Sequence, residues 1–231
     1  NPELVRDLSQ AAGEVERRPE VKALVIRGAG RAFCTGADLG SISQLLEDPP
    51  SLAGYMRDLN AMLFQLEELS LPVIAVVHGF ALAGGLELML ACDLVIAADD
   101  ARIGDQHANY GLMPGGGSTQ RLPRKLGHQR AMRLLLTGSW LSGKEAEEWG
   151  LVSWAVPPDG LDEELEALLG SLRGKSKEGL GWIKRTVQRG RSMSLRDGVA
   201  LEVESFVSYL TTSPDPREGL LAFTERRDPK F

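Results

Sequence analysis

An α/β fold closed by a helical C-terminal region is predicted by three features of the 231-residue sequence. Short runs of Val, Ile, Leu and Ala at residues 21–26, 73–77 and 94–98 alternate with segments of helical periodicity. From residue 161 onward the periodicity is helical throughout. Glycine is also enriched, 26 of 231 or roughly 11% against a usual ~7%, with no collagen period and no Gly/Ser linker. Those glycines belong in tight turns or where backbone must approach something closely.

The elements follow in order. Asn1-Pro2-Glu3 reads as N-cap, first helical residue and first-turn acid of a helix over 2–18, with Leu4, Leu8, Ala11, Ala12 and Val15 on one face. A chain that opens on a helix cap is expected to follow a preceding segment. Residues 21–26 form a buried strand and 30–39 a turn-rich loop. Residues 51–69 form a helix carrying Leu52, Tyr55, Met56, Leu59, Met62, Leu63 and Leu66 at helical spacing. Pro72 opens the strand 73–77, residues 79–85 a turn, and 86–92 a short apolar helix. Strands at 94–98 and 101–104 lead into a polar, glycine-rich stretch over 105–118. A helix is expected over 128–137, a capping box at Ser142-Gly143-Lys144-Glu145, a strand at 152–156 and a break at Pro157-Pro158. Helices at about 161–172, 175–189, 195–210 and 214–226 complete the chain. The expected division is an α/β core over 1–160 and a helical region over 161–231, with no internal repeat.

Charge and cysteine narrow the classes of function. Lys and Arg total 26 against 32 Asp and Glu, a net charge of −6, which disfavours nucleic acid held by a basic surface. A local basic pocket for a phosphorylated ligand remains compatible with that balance. Cys34 and Cys92 do not make a disulfide framework, so a reducing, cytoplasmic compartment is expected. His78, His107 and His128 lack metal-ligand spacing, so no metal is expected. The apolar stretch 72–98 is interrupted by His78, Glu87 and Asp93 and by Gly79, Gly84 and Gly85, so it reads as strand, turn and helix rather than a membrane span. The polar opening residues do not resemble a signal peptide.

Three segments carry the chemistry: residues 31–39, residues 78–93 and residues 111–122. Gly84 and Gly85 sit where a strand and turn feed a helix, whose first N–H groups lack intrahelical partners and whose dipole favours negative charge. A second N–H from the Gly36-Ala37 loop would complete an oxyanion hole. Glu87 lies one helical turn after Gly84 and can face the same cavity. A buried lone carboxylate is costly, so Glu87 is either functional or ion-paired. A dinucleotide fold is disfavoured, because Gly28-Ala29-Gly30 lacks a third glycine in register and leads into a loop.

In this order and spacing the three segments, with residues 21–26 and 72–77 and the ending 218–227, resemble the enoyl-CoA hydratase/isomerase (crotonase) family over nearly the whole chain. That resemblance implies a crotonase-like superhelix of ββα turns with a C-terminal helical trimerisation region, assembling as a homotrimer or a dimer of trimers. Members usually begin with a hairpin upstream of the first helix here, so an N-terminal hairpin is expected to be missing. The implied ligand is an acyl-CoA thioester, with coenzyme A part of the substrate and no separate cofactor. Its enolate would be stabilised by the N–H groups of Ala37 and Gly84. Arg31, Thr35, Gly36, Ala37, Asp38, Leu39, Gly84 and Gly85 match substrate-binding positions. Phe223 and Arg226 match positions that reach CoA from the C-terminal helix, often of a neighbouring subunit.

One departure matters. A hydratase of the family uses two glutamates: Glu87 matches the first, and the second position, four residues before Gly111, holds His107. Imidazole can do acid–base work near neutral pH. Hydration, a double-bond shift, and decarboxylation of a malonyl-type thioester all fit one carboxylate facing one imidazole. A degenerate member that only binds acyl-CoA is the non-enzymatic alternative. Asp105, two residues before His107, is a candidate to orient it, whereas His78 and His128 read as structural.

Overall fold

A computed structural model describes residues 1–231. In chain order it comprises α1 (Pro2–Glu16), β1 (Leu24–Arg27), α2 (Leu39–Leu46), α3 (Pro49–Glu68), β2 (Val73–Val77), β3 (Phe80–Leu82), α4 (Gly84–Leu90), β4 (Leu94–Ala98) and β5 (Arg102–Gly104). A 3₁₀ turn at His107–Tyr110 precedes α5 (Ser118–Leu126), α6 (His128–Thr137), β6 (Trp140–Ser142), α7 (Gly143–Glu148) and β7 (Trp154–Val156). Four helices follow: α8 (Leu161–Arg173), α9 (Lys177–Gly190), α10 (Leu195–Thr212) and α11 (Asp215–Glu225).

The strands form two sheets. The larger is parallel, ordered β1-β2-β4-β7, and the smaller is ordered β3-β5-β6 with β5 and β6 antiparallel. Parallel strands covered on both faces read as continuous apolar runs rather than as alternation. Accordingly all five residues of β2 are buried, and Ala75 pairs with Ile26 on one side and Val95 on the other. The chain passes from the larger sheet to the smaller and then into a helix, as in β2, β3 and α4. It begins the same turn again at β4 and β5. An isolated parallel bridge between Cys34 and Ala81 extends the smaller sheet toward the loop after β1.

α3 lies against α1, and α9 is tied to the core by Lys184. Its ammonium donates to Leu66 O (2.8 Å) and Leu71 O (3.1 Å) and pairs with Asp93 Oδ2 at 2.6 Å. Leu161, Leu165 and Leu172 place α8 in the same core as the sheets. By contrast, α10 buries only Leu201 and α11 only Ala222.

The expected helix cap at Asn1 and capping box at Ser142 are present, and the strands 73–77 and 94–98 match residue for residue. Several elements depart from the sequence expectation: β1 runs over Leu24–Arg27 rather than 21–26 and β7 over Trp154–Val156 rather than 152–156. β3 and β6 have three residues each, too few to show a period. α5 falls where no helix is expected, and it contains Pro123, whose ring disfavours a helix interior. α2 begins inside what reads as a loop, its Asp38 cap accepting from Ser41 N at 2.7 Å. The short apolar helix starts at Gly84, two residues earlier than expected.

Candidate active site

The site forms where β3 delivers the chain into α4. Ala83 closes the turn with φ 50° and ψ −118°, a left-handed region that a non-glycine residue seldom occupies, and so sets the direction of the following Gly84 N–H. As the first residue of α4, Gly84 has no intrahelical acceptor for that N–H. The loop residues Gly36 and Ala37 face it: a Cβ placed on Gly84 would lie 3.4 Å from Gly36 Cα and 3.6 Å from Ala37 N. The Ala37 N–H donates to no backbone carbonyl. The two expected donors are therefore brought to adjacent backbone segments.

The two glycines of the junction differ. A Cβ on Gly85 would run into Cys34 O, so the protein's own packing demands glycine there. A Cβ on Gly84 would meet only ordinary van der Waals neighbours, so packing leaves its absence unexplained.

Glu87 is 3% exposed. Its Oε1 accepts from Ser118 N at 3.1 Å, at the start of α5, where the helix dipole favours negative charge. A Cβ on Gly116 would lie 2.5 Å from Oε2, so a glycine there admits the carboxylate. Arg121 holds that loop: it donates to Gly116 O (2.8 Å) and grips Glu67 through two bonds of 2.9 and 2.8 Å. Burial pushes the Glu87 carboxyl above the ordinary carboxylate range, opposed by the Ser118 amide, the His107 charge and the Gly116 amide.

His107 opens the 3₁₀ turn with its side chain 16% exposed. Its Nδ1 donates to Asp105 Oδ1 at 2.8 Å, and its backbone N–H donates to the same oxygen at 3.1 Å. The hydrogen bond to Asp105 raises the His107 pKa; burial opposes that, and the charges of Asp105 and Glu87 reinforce it. Glu87 and His107 thus act on each other electrostatically, and Asp105 is indeed the partner of the imidazole.

Of the other expected site residues, Arg31, Thr35, Asp38 and Leu39 lie exposed along the loop leading into α2, and the Asp38 carboxylate caps that helix. Phe223, 84% exposed, and Arg226 sit at the end of α11, which packs against α10. His78 bonds Gly30 O at 3.0 Å and His128 starts α6. Sequence reasoning gave no individual role to Tyr55, Arg121 or Ser118, although the last two lie in the segment 111–122 singled out for its chemistry. Tyr55 is buried on α3, and burial, then the charges of Cys34 and Glu87, push its hydroxyl pKa up. Its helical spacing marks it only as core. Asn60, one turn on, holds Gly115 O at 2.9 Å and so joins α3 to the glycine loop. No group of three or more His, Cys, Asp or Glu side chains is arranged to hold a metal ion.

Solved structures share this architecture. An enoyl-CoA hydratase from Bacillus anthracis superposes with a TM-score of 0.94 at 32% identity, over 100% of this chain and 89% of that one. One from Geobacillus kaustophilus does so at 0.90 and 38% identity, over 100% and 88%. The fold is that of the crotonase class. The enoyl-CoA hydratase/isomerase family model matches residues 1–231. A probable enoyl-CoA hydratase of Mycobacterium bovis is 36% identical over 100% of this chain and 88% of its own length. The chain belongs to the enoyl-CoA hydratase/isomerase family.

Proposed function

We propose that the protein hydrates or isomerises an enoyl-CoA thioester, forming its enolate against the N–H groups of Ala37 and Gly84. The observation that carries this reading is the pair of acid–base groups, Glu87 on the helix that Gly84 begins and the Asp105-bonded His107, whose charges act on each other. In hydration, Glu87 takes a proton from water as the hydroxyl adds to Cβ. The negative charge moves to the thioester oxygen, where two fixed donors stabilise it. Protonated His107 then delivers a proton to Cα, and exchange with solvent resets both groups. In isomerisation, one of the two groups moves a proton between carbons.

The remaining roles follow the family pattern. Arg31, Thr35, Gly36, Asp38, Leu39 and Gly85 would line the CoA and pantetheine path, coenzyme A arriving as part of the substrate. Phe223 is 84% exposed, which fits its reaching CoA, with Arg226, in a neighbouring subunit. The exposed apolar residues of α10 and α11 fit a homotrimer or a dimer of trimers, with residues 161–231 as the assembling region and 1–160 as the catalytic one. No helix is long and apolar enough to cross a membrane. A cytoplasmic setting fits the two free cysteines.

A second reading is decarboxylation of a malonyl-type thioester, favoured by the cationic tendency of His107. It is weaker, because Asp105 already neutralises that cation. A panel of trans-2-enoyl-CoA and malonyl-type thioesters separates the readings. Loss of the enoyl chromophore with water uptake, or migration of the double bond, supports the first. CO2 release replaces it with the second. Tight CoA-thioester binding with no turnover on either panel overturns both.

A further inference from the structure

His107 is not alone at its position: behind it lies a carboxylate that solvent cannot reach. Asp105 is 0% exposed. Its Oδ1 takes two hydrogen bonds, both from His107, through Nδ1 at 2.8 Å and the backbone N–H at 3.1 Å. Its Oδ2 is buried with no protein partner. No Lys or Arg forms an ion pair with it; the one cationic group in reach is the imidazole. A buried carboxylate so poorly supplied with donors is expensive unless its neighbour carries the opposite charge. The Asp105–His107 geometry therefore favours a proton on Nδ1 and leaves Nε2 as the free nitrogen of the ring.

From this the geometry points to Asp105 as a positioning residue that fixes the imidazole's tautomer and keeps His107 protonated, so that the free Nε2–H serves as the acid. This deepens the enoyl-CoA reading and rests on it for the kinetic arm alone. The groups acting on His107 are Asp105, from the same loop, and Glu87, from α4. Both are acidic and both favour the imidazolium. A group acting as an acid works only while protonated, so the supported imidazolium extends activity toward higher pH, and removing Asp105 withdraws that extension.

The test uses the full-length protein with ¹⁵N-labelled histidine. The resonances missing from His107→Gln identify His107 against His78 and His128. In the wild type, the His107 ring is expected to carry a proton on Nδ1 and to titrate above the ordinary histidine value; in Asp105→Asn its midpoint moves down. With a C4 trans-2-enoyl-CoA as probe, Asp105→Asn is expected to lower kcat about 10- to 100-fold, within the 10²–10⁴ that acid–base catalysis supplies. KM should stay within about twofold, and the alkaline limb should move acidward. In a His107→Gln background the same substitution should cost nothing further. An unchanged His107 titration in Asp105→Asn, a loss confined to KM, or equal losses in both backgrounds would overturn the assignment. Should Asp105→Asn fail to fold, the wild-type spectrum decides: a neutral ring protonated only on Nε2 refutes it. If no enoyl-CoA is turned over, the catalytic reading fails while the spectra still judge the Asp105–His107 pair.

Discussion

α4 and α10 are opposite solutions to the problem of keeping a helix. α4 has seven residues, six of them buried, and is far too short to persist by itself. α10 has eighteen, and Leu201 alone is buried. Packing on every side fixes α4 and can hold a carboxylate where water would otherwise compete for it. α10 presents Val199, Val203, Phe206 and Val207, all exposed and spaced at i, i+4, i+7 and i+8 on one face, to the outside. The proposed chemistry lies on a helix buried almost throughout, and the surface left uncovered lies on a helix that gives the core one side chain.

The strongest way to break this contrast is Glu87→Gln. Turnover of a C4 trans-2-enoyl-CoA is expected to fall by about 10²–10⁴, or roughly 2.7–5.5 kcal/mol of transition-state stabilisation. Stability should move the other way. The folded-state pKa of Glu87 is raised by burial. Its favourable contribution therefore exists below the unfolded value and is lost as pH rises through the folded one. The neutral amide removes that loss, so the variant should melt higher than wild type at pH 7–8 and not at pH 4. The wild-type pH–rate profile should be bell-shaped, rising as Glu87 loses its proton and falling as His107 loses its own. A fully active Glu87→Gln enzyme would refute the proposed chemistry.

Gly84→Ala and Gly85→Ala sharpen the comparison within α4 itself. At Gly85 the new Cβ would strike Cys34 O, so a destabilisation of about 2–4 kcal/mol is expected in a thermal or urea melt. At Gly84 the nearest protein atom would be 3.4 Å away, so the fold should tolerate the methyl while turnover drops. Equal stability losses at both positions would mean that Gly84, too, is a packing residue, and would leave the thioester oxygen without a reason to sit there.

What was legible in the sequence follows the same physical division. β2 and β4 stand out because a strand buried on both faces is an unbroken apolar run. Glu87 stands out because a charge inside such a run needs an explanation. β3 and β6 do not, since three residues carry no period. Tyr55 reads as core because one helical stripe can line both a core and a cavity, and spacing cannot separate them. The Asp105–His107 bond lies on a segment without periodicity, so only adjacency hinted at it. Arg121 had no signal, because its work is to hold a backbone carbonyl of the glycine loop.

A smaller loss is expected for Asp38→Ala, which removes the cap of α2 and should be read as a modest fall in Tm. The smallest effect on the folded chain is expected from charging the open face of α10. Phe206 and Val203 are both exposed, so Val203→Glu/Phe206→Glu removes almost no packing from the core, and the secondary structure should persist at 25 °C. If a second copy covers this face, two carboxylates per chain would have to be desolvated at the contact. The double variant should then sediment as a smaller species than wild type in analytical ultracentrifugation. If Phe223 and Arg226 reach CoA in a neighbouring subunit, as proposed, KM for the acyl-CoA should then rise while Glu87 and His107 remain in place. An unchanged sedimentation coefficient would instead show that α10 stands open in solution, and that its long helix is kept by its own hydrogen bonds together with its packing on α9.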